Sequence, residues 1–140
     1  MNNLIKITER NIFFHILEIS DIEFQKRAWF GQYKNYISSY SELMCRLFDD
    51  DKYTLFINQY AKSLGYSFSF IKKLNALELK LNSFNKNELL SDLEIINDSY
   101  WHKISDMAKT IIQGWPHLAE IINNVVMFDS PVPAESVIQQ

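Results

Sequence analysis

The sequence predicts one all-α domain, an irregular bundle of seven or eight short helices. Three observations lead there. A chain of 140 residues falls within the usual span of a single domain and is long enough to bury a substantial core. Apolar residues make up 47% and charged residues 22%, with three glycines and three prolines, so disorder and turn-rich β folds both fit badly. Apolar side chains recur along most of the chain at steps of three and four, the spacing that gathers them on one side of a helix.

From Thr8 to Ile19, that spacing places Ile12, Phe13, Ile16, Leu17 and Ile19 on one face. Asp21 is suited to cap the next helix, whose register runs through Trp29, Tyr33, Tyr36 and Tyr40 to Met44 and Leu47. This stretch reads either as one long helix kinked at Gly31 or as two helices with Ser41 capping the second. Asp49, Asp50 and Asp51 end it, and Asp51 reads as the N-cap of a helix carrying Tyr53, Phe56, Tyr60 and Leu64, closed by a left-handed Gly65.

Ser69 opens the next helix, with Phe70, Leu74, Leu77, Leu81 and Phe84 as a core-facing stripe too short for a coiled coil. Tyr66 to Phe70 alternates serine with aromatics, but it has no partner run with which to form a sheet. A turn at Asn85 to Asn87 precedes a short helix over Glu88 to Asn97, with Leu89, Leu93 and Ile96 inward. Asp98 or Ser99 caps a helix with the stripe Trp101, Ile104, Ala108 and Ile111. Gly114 and Pro116 are a stop and restart, with Pro116 at the first position of a final helix bearing Leu118, Ile121, Ile122 and Val125. The helical domain spans 1–128, and Pro131 and Pro133 predict an extended or disordered tail over 129–140.

Charge and motif content narrow the function by exclusion. Fourteen basic against seventeen acidic residues give a net charge of −3, which argues against affinity built on neutralising phosphates. Lys26 with Arg27 and Lys72 with Lys73 are isolated pairs, so no nucleic-acid partner is expected. No Gly-rich phosphate loop, nucleophile elbow, HExxH or CxxC is present, so no enzyme activity and no cofactor are expected. His15, His102 and His117 lack metal-ligand spacing. Asp98, His102 and Asp106, one helical turn apart, are the best local constellation, and a solvated charge ladder gives the same spacing. Cys45 is expected to be a buried thiol in the apolar register and, being single, points to a reducing compartment. No apolar run is long enough to span a membrane and no signal peptide is evident, so a cytoplasmic protein is expected. Fifteen of the twenty aromatics lie in the first seventy residues; most must be core, and some tyrosines would suit an interface.

One charge asymmetry carries a functional expectation. Between Lys86 and Lys103 stand Glu88, Asp92, Glu94 and Asp98, with no lysine or arginine among them. Like charges four apart repel, so a cation must offset them, either Lys72, Lys73 or Lys80 of the preceding helix or a basic partner protein. Glu88, Asp92, Glu94 and Asp98 with the neighbouring Tyr100 are therefore the candidate partner-binding residues, and Trp101 beside them lies on the inward stripe.

In size, acidity and Ile/Asn/Lys-rich character over its whole length, with this acidic segment as the feature that carries the likeness, the chain resembles the immunity proteins that bacteria hold against toxins of contact-dependent growth inhibition systems. The resemblance implies a stoichiometric inhibitor covering the active site or cleft of a cognate toxin with a basic surface, often a nuclease, its carboxylates standing in for substrate phosphates. The other reading is a helical scaffold or oligomerisation module that exposes an apolar stripe, with Phe70 to Phe84 as the segment to do so.

Overall fold

A computed structural model describes residues 3–84 and 90–124, and the described residues form an all-α single domain without strands. Helix α1 (Asn3–Ile19) begins earlier than its apolar stripe suggests and buries Ile12, Phe13, Ile16, Leu17 and Ile19. Its partner across the core is α7 (Ser99–Gln113), whose Trp101, Ile104, Ala108 and Ile111 are buried as the period predicts. Helix α5 (Phe68–Phe84) closes the other side of α7 and buries Phe70, Leu74, Leu77, Leu81 and Phe84. That stripe belongs to the core and is not an exposed apolar surface. Burying five such side chains contributes on the order of 10 kcal/mol, at about 1.5–3 kcal/mol each.

The segment between α1 and α5 departs most from expectation. Asp21 does cap α2 (Ile22–Ala28), accepting from Phe24 N–H at 2.9 Å. Helix α2 then stops rather than kinks: Gly31 sits at φ +79°, where a side chain would be strained, and the chain crosses residues 29–39 without helix. Ser39, not Ser41, caps α3 (Tyr40–Met44), its hydroxyl accepting from Glu42 N–H at 3.0 Å. Helix α3 widens into a π-helix over Cys45–Asp50, where Asp51 N–H donates to the Arg46 carbonyl five residues back.

Helix α4 (Tyr53–Leu55) widens in the same way over Phe56–Tyr60 and ends there, with Ala61 as its C-cap; the left-handed Gly65 closes the turn that follows rather than the helix itself. Asp51 is not its cap. The carboxylate turns back to α1, where it meets His15 Nε2 at 2.6 Å and accepts from Asn11 Nδ2 at 3.2 Å, and Lys52 takes the cap position at φ +50°.

Cys45 is exposed, against expectation. The inward stripe is Leu43, Met44 and Leu47, and at about 100° per residue Cys45 points away from its middle. Local desolvation and a hydrogen bond with Asp49 push its thiol up, with the charges of Asp50, Asp49 and Glu42 adding to the effect.

Ser67, two residues before the expected Ser69, accepts from Phe70 N–H at 3.1 Å at the start of α5. The expected Glu88–Asn97 helix is shorter, α6 (Asp92–Ile96), with Ile95 and Ile96 buried; Leu93 is 59% exposed rather than inward. Gly114 ends α7, but Pro116 and a left-handed His117 (φ +58°) precede α8 (Leu118–Asn124), so Pro116 is not its first helical residue. Glu88, Leu89, Val125 and the 129–140 tail lie outside the described residues. Among the described residues no helix is long and apolar enough to cross a membrane.

Candidate partner-binding surface

Ser91 and Glu94 form a capping box at the start of α6. The Ser91 hydroxyl accepts from Glu94 N–H at 3.2 Å, and the Glu94 carboxylate accepts from Ser91 N–H at 3.0 Å. That backbone hydrogen bond, with the Ser91 side chain second, holds the Glu94 carboxyl below its ordinary value. Asp92 reaches across to α3, its carboxylate accepting from Tyr40 N–H at 3.3 Å. Asp98 caps α7 by accepting from Tyr100 N–H at 2.8 Å and Trp101 N–H at 3.0 Å.

Three of the four expected carboxylates are thus fixed by main-chain donors, and Glu88 lies outside the described residues. Lys72, Lys73 and Lys80 do not neutralise them: the ion pairs within 4.0 Å among the described residues are Lys6–Glu120, His15–Asp51, Lys26–Glu23 and Arg46–Glu18. Lys80 instead lies over the Tyr100 ring at 5.6 Å, while Tyr100 stacks on Phe84 with ring centroids 5.9 Å apart. Backbone donors set the position of a carboxylate without cancelling its charge. Asp92, Glu94 and Asp98 therefore have main-chain partners but no lysine or arginine within 4.0 Å among the described residues, with Leu93 exposed between the first two.

Leu93 is the member of this surface that periodicity missed. The pattern Ser-x-x-Glu at 91–94 would have revealed it. With Ser91 as cap, Leu93 falls two residues into the helix, ahead of the inward pair Ile95 and Ile96.

The Asp98, His102 and Asp106 constellation does not assemble. His102 Nε2 lies 2.5 Å from the Ile96 carbonyl, which can only accept, so that nitrogen carries a proton. Asp98 is engaged as a cap, and no group of three or more potential metal ligands occurs among the described residues. His102 and Asp106 instead border a groove of about 540 Å³ between α2 and α7, which also holds Asp21, Lys26 and Lys109. Charges of both signs line it, and no single ligand chemistry follows from them.

Two buried polar centres were invisible to periodicity. Glu18, wholly buried on α1, accepts from Trp29 Nε1 at 3.0 Å, Ser38 Oγ at 2.5 Å and Tyr36 OH, with Arg46 Nη2 at 3.7 Å. It fastens the irregular 29–39 segment from inside. Gln25, also wholly buried, donates to the Glu18 and Ile19 carbonyls and accepts from Trp101 Nε1 at 2.9 Å, which ties α2 to α7. Comparison with protein-family models, curated proteins and solved structures gave no match.

Proposed function

We propose that this chain is a toxin-neutralising protein of the immunity type, which binds a cognate toxin domain through the acidic surface of α6 and the start of α7 and acts in the cytoplasm. The observation that supports this reading is the state of Asp92, Glu94 and Asp98: each is held in place by main-chain N–H groups, and none has a lysine or arginine within 4.0 Å among the described residues. Fixed charges without an internal counter-ion suit a cationic partner, because ordering them on binding forfeits little conformational freedom. Leu93 and Tyr100 add apolar area at the same place. The protein has no catalytic part in this reading; it excludes the toxin's substrate by occupying a basic cleft.

The capping roles decide how to test it. Reversing Asp98 to lysine would remove a helix cap, worth about 0.5–2 kcal/mol, and confuse binding with folding. The isosteric set Asp92→Asn, Glu94→Gln and Asp98→Asn removes charge and keeps an acceptor at each position. Against a candidate cognate toxin domain that the wild type binds, the triple variant should associate at least about tenfold more slowly at low salt, with much less change in dissociation. The wild type should approach the variant as salt rises. Equal association rates for a folded variant and wild type would remove this surface from the interaction.

A further inference from the structure

The 29–39 segment is tightly held, yet it presents large apolar side chains to water. Trp29, Tyr36 and Ser38 converge on the one carboxylate of Glu18, while their immediate neighbours Phe30 and Ile37 are 50% and 84% exposed. Ile37, fixed between the anchored Tyr36 and Ser38, is arranged like an interface contact, because little backbone freedom remains to be lost on docking. The segment itself carries charge of one sign: residues 24–41 contain Lys26, Arg27 and Lys34 and no acid. Lys26 pairs with Glu23 and Arg27 donates to Tyr33, so Lys34 is the exposed cation beside Ile37.

The adjoining helix is complementary in both respects. The outer face of α3 and its π-helical continuation exposes Glu42, Asp49 and Asp50. Beside these acids a groove of about 430 Å³ runs between this helix and Asn82 of α5, with Tyr40, Met44 and Phe48 as its apolar lining. A cavity of about 150 Å³ holds a benzene ring, so this groove has room for an aliphatic side chain. Ile37 is three residues from Tyr40, hence within about 11 Å of backbone reach of the groove. An apolar-tipped loop bearing Lys34 therefore stands next to a groove that Asp49 lines, with Tyr40, Met44 and Phe48 as its apolar part. Two such neighbouring and mutually complementary patches satisfy each other when a second copy is placed about a twofold axis.

We propose that two copies of this chain form a symmetric dimer, in which Ile37 of each enters the Tyr40, Met44 and Phe48 groove of the other and Lys34 faces the other's Glu42 and Asp49. The surface used is that of α3 and the 29–39 loop, and the inference does not depend on the toxin reading. Sedimentation velocity over a concentration series, on the full chain, tests it. A monomer–dimer equilibrium that weakens with salt is expected. Ile37→Ser should weaken it at least about tenfold, the effect of truncating one anchor. Lys34→Glu alone and the Glu42→Lys, Asp49→Lys pair alone should each weaken it. An equimolar mixture of those two variants should recover the affinity, because both contacts then join opposite charges again. All these side chains are exposed, and unchanged melting temperatures would show that the fold is intact. A wild type that stays monomeric throughout the series, a dimer indifferent to Ile37→Ser, or a mixture no tighter than its components would each overturn the proposal.

Discussion

Glu9 and Glu18 stand on the same helix, both buried, and their surroundings differ in kind. Glu18 receives three side-chain donors and the Arg46 guanidinium, which itself bonds Tyr36 and Ser38 at 2.9 and 2.6 Å. Glu9 receives the Tyr66 hydroxyl and, among the described residues, has no cation within 4.0 Å. Burial pushes its carboxyl above the ordinary value, opposed by the Tyr66 hydrogen bond and by the charge of His117. The Trp115 indole N–H lies close enough to weigh on both Glu9 and Tyr66, yet among the described residues it finds no acceptor in hydrogen-bond geometry. One centre surrounds its buried carboxyl group with partners, and from this the irregular segment gains its shape. The other ties α1 to Tyr66 in the connection before α5, beside Trp115 in the turn after α7, and among the described residues leaves the Trp115 donor unmatched. The contrast shows that a buried carboxylate organises the chain around it in proportion to the donors that reach it.

The sharpest way to break that contrast is Glu18→Ala. It strands Trp29, Tyr36, Ser38 and the largely buried Arg46 together, so about 3–5 kcal/mol of stability should be lost in denaturant unfolding. A loss under about 1 kcal/mol, as for a surface pair, would mean that water replaces the carboxylate without difficulty.

A smaller effect separates the two indoles. Trp29→Phe and Trp115→Phe remove similar apolar area, but only Trp29 donates to a buried acceptor. Trp29→Phe should therefore be more destabilising by about 1–2 kcal/mol, and equal losses would show the Trp29 hydrogen bond to be dispensable.

The smallest effect is the pH dependence of Glu9. The folded chain holds this proton more tightly than the unfolded chain, so the stability it contributes is complete below the ordinary value of 4.5 and declines as pH rises from there through the raised value. Glu9→Gln should remove this decline, seen as a smaller fall in melting temperature from mildly acidic to neutral pH. A parallel fall in both proteins would mean that Glu9 keeps no proton.

How much of this could be read from the sequence depends on whether a residue's role is periodic. The core faces of α1, α5 and α7 were legible because Ile12, Leu74, Trp101 and their kin repeat at helical spacing. The acidic segment was legible as charge, since a run of carboxylates without cations needs no structure to be noticed. The end of α2 at residue 28 was not. Tyr33, Tyr36 and Tyr40 keep a helical spacing, but Tyr36 is drawn to Glu18 and Tyr33 to Arg27, and those tertiary hydrogen bonds prevailed over the local pattern. Asp51 misled for a related reason: it has the chemistry of a cap, but a histidine of a distant helix took it.

The π-helical turns at Cys45–Asp50 and Phe56–Tyr60 have a consequence for changes in chain length. Each closes its hydrogen bonds over five residues where an α-helix uses four, and so takes up one residue that its flanks do not need. Losing a residue from such a stretch returns it to ordinary helix and leaves the flanking side chains facing as before. Losing one inside α7 would instead turn everything beyond the cut by about 100° and carry Ile111 and Ile112 out of the core. The two stretches that flank Asp51 are therefore where this molecule can absorb the loss of a single residue, and α7 is where it cannot.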